Sequence, residues 1–251
     1  MLHLEVPGGC SEVLLHSCCA PCSGAVLECL LASGIKTTVF FSNSNIVPRE
    51  EYDLRLSELR RYCSSLGIEL VEDEYDHEAW RTFVLETAGD SSNRGRTPSD
   101  IETTGPDCIK SELSSRAAAL ASSPERGPRC LNCFKFRLKR AADYASAHNI
   151  PVLTTTLASS RWKSLEQVAA AGAWACGCAS SVTPHVTTWM STADPIGVQG
   201  DSIKRPEKSQ VLFWPANWRK GGLQERRSQI ICEQNFYNQN WCGCEFSHRT
   251  I

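Results

Sequence analysis

Three cysteines fall within five positions near the start of the chain, in the sequence His16-Ser17-Cys18-Cys19-Ala20-Pro21-Cys22. The apolar run Val13–Leu15 precedes them and helix-forming residues follow from Ser23, which predicts a strand, a tight turn and a helix. The thiols then lie at a helix N-terminus, where unpaired backbone N–H groups favour thiolates. Thiolates serve metal binding and disulfide chemistry. Cysteines in a turn can also be plain core residues, but three together favour a functional site.

Cysteine content and grouping indicate a metal or redox centre. The chain of 251 residues carries 14 cysteines, and most fall into tight groups: Cys18/Cys19/Cys22, Cys130/Cys133, Cys176/Cys178 and Cys242/Cys244. Secreted disulfide frameworks are usually smaller and distribute their cysteines through loops, and residues 1–9 lack the pattern of a secretory signal. We therefore expect a cytoplasmic protein, in which the scattered cysteines are structural: Cys10, Cys29, Cys63, Cys108 and Cys232.

Composition restricts the class of protein and of partner. Hydrophobic residues make up 41% of the chain, yet no apolar run is long enough to span a bilayer. We therefore expect a globular protein without a membrane partner. The formal net charge of −2 provides no overall attraction to nucleic acid. Any contact with RNA must come from a local basic patch.

Strand-like and helix-like segments alternate along the chain. Strands are predicted at 13–15, 37–41, 68–71, 151–157 and 211–214, and helices from 23 and at 50–66, 76–88, 108–121, 134–148, 165–175 and 223–234. The alternation predicts an α/β fold, a mostly parallel sheet flanked by helices, with the working site at the carboxyl ends of the strands. We interpret residues 1–251 as one catalytic domain with two loop insertions, 89–107 and 176–209, both rich in Gly, Ser, Thr and Pro.

Two cysteine pairs can supply four soft ligands above one sheet. Cys18 and Cys19 follow the first strand, and Cys130 and Cys133 lead into a predicted helix, where thiolates are again favoured. Four thiolates suit structural zinc or an iron–sulfur cluster, and their spacing does not choose between the two. Two features favour iron. Adjacent cysteines are unusual in a zinc ribbon, and Cys22 remains as an extra thiol nearby.

The pair Cys242-Gly243-Cys244 is suited to thiol–disulfide cycling, because a bridge across one intervening residue is strained and readily reduced. A metal cluster and a dithiol together indicate redox catalysis. Two rival functions stay open at this point. One is a zinc-stabilised RNA-binding module with purely structural cysteines, and the other is a general thiol–disulfide oxidoreductase that needs no metal.

Six segments resemble one known family in consistent order. They are Leu14–Cys22, Asn45–Tyr52, Cys130–Leu138, Thr154–Leu157, Asn217–Gly222 and Tyr237–Ser247. Together they resemble the QueH family of epoxyqueuosine reductases, which remove the epoxide oxygen in the last step of making queuosine in tRNA. The resemblance implies a Rossmann-like sheet of the HUP, adenine-nucleotide-hydrolase-like layout. It also implies two partners, tRNA bearing epoxyqueuosine and an external electron donor, and no DNA.

The resemblance implies a role for the cysteines in a two-electron, two-proton reduction. The residues implied to hold a 4Fe-4S cluster are Cys18, Cys19, Cys130 and Cys133. Cys22 matches the part of the family site that holds an additional iron, and Cys242 and Cys244 would form a redox-active disulfide. Cys176 and Cys178 match nothing in the family and receive no role.

Basic residues supply the candidates for RNA contact. We expect Arg219 and Lys220 to contact phosphate or substrate. Weaker candidates for tRNA contact lie on the predicted helix 134–148, where a solvated helix face explains the charges equally well: Arg137, Lys139 and Arg140. The proton donor stays open among three residues that the motifs place near the thiols: His16, Tyr237 and Glu245.

Overall fold

Five parallel strands form one sheet in the computed structural model, which describes residues 3–86, 115, 117–177 and 211–247. The strands are β1 Glu12–His16, β2 Lys36–Phe41, β3 Glu69–Glu72, β4 Val152–Thr155 and β5 Leu212–Phe213. Their order across the sheet is β3-β2-β1-β4-β5, and each neighbouring pair is parallel. The predicted α/β class with a parallel sheet is confirmed.

Helices cover the sheet and connect its strands. They are α1 Ala20–Ala32, α2 Arg49–Ser65, α3 His77–Glu86, α4 Pro128–Ala147, α5 Leu165–Ala175 and α6 Leu223–Glu233. Short 3-10 turns occur at Pro7–Gly9, Thr156–Ser159 and Glu245–Ser247. Because helices cover both faces of a parallel sheet, its central strands are buried, and β4 is accordingly buried at every residue.

The chain turns in opposite directions from the centre of the sheet, between β1 and β4. From β1 it proceeds outward through β2 to β3, and it then returns to the other side of β1 to form β4 and β5. Ligands in open parallel sheets bind at such a switch point, beyond the carboxyl ends of the strands. Cys18 follows β1 there, and Thr156 follows β4, with the backbone N–H of Cys18 donating to Thr156 Oγ1 at 3.2 Å.

An ion pair joins the last helix to the first and so fixes where the C-terminal segment begins. Arg226 on α6 donates from Nε and Nη2 to the two carboxylate oxygens of Glu28 on α1, at 2.7 and 2.8 Å. The helices approach closely at Gly24, where a Cβ would lie 3.0 Å from a methyl carbon of Ile230. Residues 234–247, which follow α6, therefore start from a fixed point beside α1.

Predicted and observed elements differ mainly at their ends. Helix α4 begins at Pro128, six residues before the predicted start, because proline suits the first turn of a helix. Cys130 and Cys133 consequently lie within its first two turns. The predicted strand 151–157 ends at Thr155, where a 3-10 turn begins, and the last strand has only two residues.

Parts of the predicted organisation lie outside the described residues. The insertion at 89–107 does so entirely, and the insertion at 176–209 does so beyond residue 177. Of the helix predicted at 108–121, the structure describes residues 115 and 117–121, which are helical. Among the helices that the structure describes, none combines the length and the apolar character needed to cross a membrane.

Candidate metal and redox site

A cavity of about 910 Å³ opens at the switch point, and cysteines from three distant segments line it. They are Cys18 and Cys22 from the turn after β1, Cys130 and Cys133 from α4, and Cys242 and Cys244 from the C-terminal segment. Of the seven cysteines predicted to take part in the site, only Cys19 is not on the cavity wall, and its sulfur lies beside those of Cys18 and Cys22. The fold therefore brings the predicted thiols to one place.

The thiols of Cys18, Cys19 and Cys22 form a buried trio. Their sulfur atoms all lie within 4.8 Å of one another, and those of Cys18 and Cys19 are 3.8 Å apart. Helix α1 begins directly after Cys19, whose extended backbone lets it serve as the N-cap. The side chain of Gln239, from the C-terminal segment, donates Nε2–H to Cys19 Sγ at 2.7 Å.

Electrostatics favour one thiolate within this trio. The pKa of Cys18 lies well below its usual value, chiefly because the S–H groups of Cys19 and Cys22 donate hydrogen bonds to its sulfur. The charges of Lys163 and Arg137 lower it further, and burial opposes the shift without cancelling it. The pKa of Cys19 and that of Cys22 are raised, because each donates a hydrogen bond to Cys18 and both are buried. The arrangement presents one soft anionic ligand with two further thiols beside it.

The second cysteine pair, Cys130 and Cys133, lines the cavity from α4. Burial raises the pKa of Cys130, and it raises the pKa of Cys133 to about 11. Each sulfur accepts one hydrogen bond, Cys130 from the backbone N–H of Arg126 at 3.3 Å and Cys133 from Trp80 Nε1 at 3.4 Å. Metal binding to these cysteines would release protons, because the thiolate is the ligand.

The donor set is that of a soft metal ion or cluster. A tetrahedral ion that binds sulfur at about 2.3 Å places its ligand sulfurs roughly 4 Å apart. The trio meets this condition, whereas within the described residues Cys130 and Cys133 belong to no such close group. The trio alone therefore has the spacing of ligands to one metal ion. Four soft thiols around a wider space are compatible with an iron–sulfur cluster.

The third cysteine pair lies in a loop that is held by the segment after β2. The carbonyl of Gly243 accepts the backbone N–H of Val47 at 2.9 Å, and the carbonyl of Cys242 accepts Arg55 Nη1 at 3.2 Å. Gly243 has φ of +98°, and a Cβ there would lie 3.1 Å from Ile46 and 3.2 Å from the Arg55 guanidinium. The positive φ at this position favours glycine, and a Cβ would force Ile46 and Arg55 to shift by a few tenths of an ångström.

The two thiols of this loop have opposite protonation tendencies. A hydrogen bond from Cys244, together with the charges of Lys163, Arg137 and Arg55, lowers the pKa of Cys242 to about 5 despite burial. The pKa of Cys244 is raised, chiefly because it donates that hydrogen bond. Cys242 is therefore the thiolate, and Cys244 the protonated partner, as a dithiol nucleophile requires.

Two cations lie near the thiols, and the sequence analysis predicted neither of them there. Arg137 was a weak candidate for RNA contact, but it is 2% exposed. Its partners within the described chain are neutral: the Ser42 carbonyl, which accepts Nε–H at 3.1 Å, and the side-chain oxygen of Asn43. Lys163 lies in a loop, and no sequence motif pointed to it. Burial lowers its pKa, but the negative charges of the Cys242, Cys18 and Cys22 sulfurs more than offset this effect, so the pKa is raised overall. Both cations face the thiolates.

Burial and hydrogen bonding favour the neutral form of His16, and its role as a proton donor stays a prediction. Its Nε2 donates to the Ser42 carbonyl, which can only accept, so Nδ1 accepts from the Thr155 hydroxyl at 2.8 Å. Burial and the charge of Arg137 lower its pKa to about 3. Of the other two candidate donors, Glu245 pairs with Arg81, and Tyr237 is 37% exposed.

The predicted contacts for phosphate lie outside the cavity wall. Arg219 donates Nη2–H to the carbonyls of Ser160 and Lys163, the latter at 2.7 Å, and so supports the loop that carries Lys163. Lys220 is exposed. A substrate contact for these two residues stays a prediction. On α4, Lys139 pairs with Asp143 and Arg140 with Asp73.

Comparison with known proteins gives the relationship of this chain. The profile of the family described as "Epoxyqueuosine reductase QueH" matches residues 13–99, 99–195 and 186–250. The chain belongs to the QueH family. The three matched ranges contain the three cysteine groups of the cavity, one group in each, so the family pattern and the geometry coincide.

QueH proteins of several bacteria are similar to this chain over nearly its full length. The epoxyqueuosine reductase QueH of Haemophilus influenzae is 34% identical, over 98% of this chain and 75% of the relative. That of Histophilus somni is 33% identical over 98% and 76%, and that of Acinetobacter baylyi is 31% identical over 99% and 85%.

Gly243→Ala is predicted to displace the Cys242 loop. The added methyl group must occupy space held by Ile46 and Arg55, at a positive φ. We expect the alkylation rate of Cys242 at pH 5, followed by peptide mass spectrometry, to fall about fivefold, since a one-unit rise from a pKa of about 5 lowers the thiolate fraction at that pH from about one half to about one tenth.

Gly67→Ala is the matched control for this substitution. Gly67 has φ of +67°, but no atom lies within 4 Å of the position of its Cβ. The control should cost a similar backbone strain of about 1 kcal/mol and leave Cys242 as reactive as in the wild type. Unchanged reactivity in Gly243→Ala would contradict the described packing of the loop.

Proposed function

We propose that this chain is an epoxyqueuosine reductase, which converts epoxyqueuosine in tRNA to queuosine. One observation carries the proposal: six cysteines from three family-matched segments line a single cavity at the switch point of the sheet. Neither rival function needs this convergence. A zinc-stabilised module has no use for a polarised dithiol, and a simple thiol–disulfide oxidoreductase has no use for the buried trio.

The reaction requires two electrons and two protons. Both C–O bonds of the epoxide break, a C=C double bond forms, and the oxygen leaves as water. A dithiol that becomes a disulfide supplies the same two electrons and two protons. Oxidation of Cys242 and Cys244 to a disulfide would therefore provide everything that the reduction consumes. An external reductant then returns the pair to the dithiol. The polarity of the pair makes Cys242 the reactive thiolate and Cys244 the proton carrier.

The proposed cofactor is a 4Fe-4S cluster held by Cys18, Cys19, Cys130 and Cys133, with Cys22 beside it for an additional iron. When bound, such a group supplies one-electron transfer and a Lewis-acidic metal. The protein contributes the charge balance. Arg137 and Lys163 lie next to the thiolates and offset their negative charge, which a buried site could not otherwise hold.

The mouth of the cavity has the character of an RNA-binding surface. Among the described residues that line the cavity, four basic side chains are not buried, those of Arg126, Arg161, Lys163 and Arg227, and one carboxylate accompanies them, that of Glu125. Trp162 is 63% exposed, and the guanidinium of Arg161 lies 4.8 Å from its ring centre. Arg126 fixes both residues through hydrogen bonds to their carbonyls at 2.9 and 3.0 Å. An exposed aromatic ring among cations suits a stacked base and its phosphates.

Turnover is the test of the proposed function. Protein purified without oxygen is mixed with tRNA that bears epoxyqueuosine and with a chemical reductant, and queuosine is measured by mass spectrometry of the released nucleosides. The wild type should form queuosine. Cys242→Ser and Cys244→Ser should lower turnover by about 10³-fold or more, as loss of a reacting group does, while the iron content is retained.

Cys232→Ser is the control for these variants, because Cys232 is exposed on α6 and does not line the cavity. It should react like the wild type. Full activity in either dithiol variant would refute the role of that pair, and absence of product from the wild type would refute the function itself.

Trp162→Ala is predicted to weaken tRNA binding by about tenfold, because stacking of one base on an aromatic side chain contributes about 1–3 kcal/mol. Arg161→Gln should reduce the salt dependence of binding by roughly one phosphate contact. Filter binding at several salt concentrations measures both. Trp174, which is 44% exposed but does not line the cavity, gives the matched control Trp174→Ala. Equal affinities of the Trp162 and Trp174 variants for tRNA would exclude a role of this surface in tRNA binding.

A further inference from the structure

One amide group at the cavity has no partner in the part of the chain that the structure describes. Asn45 lies in the segment after β2, is 1% exposed and lines the cavity. Neither its Nδ2 nor its Oδ1 forms a hydrogen bond to any described residue. A buried polar group in this state has lost its bonds to water without replacement, which native proteins rarely tolerate without a reason.

Asn43 provides the contrast, two residues earlier on the same segment. It is equally buried and also lines the cavity. Its Nδ2 donates to the Ser17 carbonyl at 2.9 Å, and its Oδ1 accepts from Arg137. Both polar atoms of the Asn43 amide are therefore hydrogen-bonded within the fold. It leaves both the donor and the acceptor of Asn45 available to a ligand.

The position of Asn45 indicates which part of a ligand it meets. The next residue, Ile46, packs against Gly243, and Val47 donates its N–H to the Gly243 carbonyl. Asn45 therefore lies beside the loop of the proposed redox dithiol. Arg55, the cation that contacts this loop, is already engaged, because it binds Glu51 and the Cys242 carbonyl. Asn45 is thus an uncommitted hydrogen-bond donor beside the reacting thiols.

We propose that Asn45 binds the oxygen-bearing ring of the substrate, an inference that rests on the proposed function. An epoxide oxygen only accepts hydrogen bonds, and a neighbouring ring hydroxyl can donate one. The amide matches this pair, with Nδ2–H directed to the epoxide oxygen and Oδ1 to the hydroxyl. The first bond strengthens as the C–O bond breaks and negative charge develops on the oxygen, so it favours the reaction more than ground-state binding.

The test compares Asn45→Ala, Asn45→Asp and Asn43→Ala. Because Asp keeps the acceptor and loses the donor, both Asn45 variants should lower kcat by about 10²-fold, the effect of removing a hydrogen-bond donor to a developing oxyanion. The affinity of Asn45→Ala for tRNA bearing queuosine, which lacks the epoxide oxygen, should fall much less than its affinity for tRNA bearing epoxyqueuosine.

Stability provides a readout that does not depend on activity. Asn45→Ala should keep or raise the unfolding midpoint of the wild type, since it removes an unpaired buried amide. Asn43→Ala should lower it, because the Ser17 carbonyl and Arg137 lose a partner. A loss of stability in Asn45→Ala equal to that in Asn43→Ala would mean that Asn45 is structural, and would overturn the inference.

The activity outcomes separate this inference from the proposed function. If the wild type reduces its tRNA and both Asn45 variants match it, the inference is wrong and the function stands. If Asn45→Ala weakens binding of both tRNAs equally, the amide contacts a part of the substrate other than the epoxide, and the assignment is overturned. If the wild type forms no queuosine, both proposals fail.

Discussion

A buried thiolate must be stabilised by hydrogen bonds or by positive charge, and the structure around the cavity depends on this requirement. Removing an anion from water without compensation is costly enough that the group would stay protonated instead. Cys18 meets the requirement through two neighbouring thiols, and Cys242 through Cys244. Arg137 and Lys163 serve both thiolates, and so couple the turn after β1 to the C-terminal segment.

The parallel sheet brings these groups together although they are distant in sequence. The switch between β1 and β4 places the Cys18 turn beside Thr156, and α4 brings Cys130 and Cys133 to the same end of the sheet. The C-terminal segment then crosses the cavity. It is fixed at one end by the ion pair of α6 with α1, and at the other by the bonds of Val47 and Arg55 to the Cys242 loop.

Local signals in the sequence predicted the sheet and the thiol groups, whereas the environment of the thiols depends on tertiary contacts. The apolar run before Cys18 and the helical pattern at 50–66 are local, so β1 and α2 appear where predicted. Arg137 looked like a surface charge because no sequence pattern shows what packs over it. Lys163 and Asn45 lie in loops without periodicity, and only the folded chain places them at the cavity. A local signal for the early start of α4 existed in Gly127-Pro128, at its N-cap and first turn.

We propose that thiols from three segments build one iron-dependent redox centre, and iron and acid-labile sulfide analysis of protein purified without oxygen decides whether they do. We expect about four irons or more per chain, matching sulfide, and a broad visible absorption that bleaches on reduction. Cys133→Ser should lose this absorption, whereas Cys63→Ser, a buried cysteine outside the cavity wall, should keep it. One zinc ion per chain and no sulfide would contradict the account.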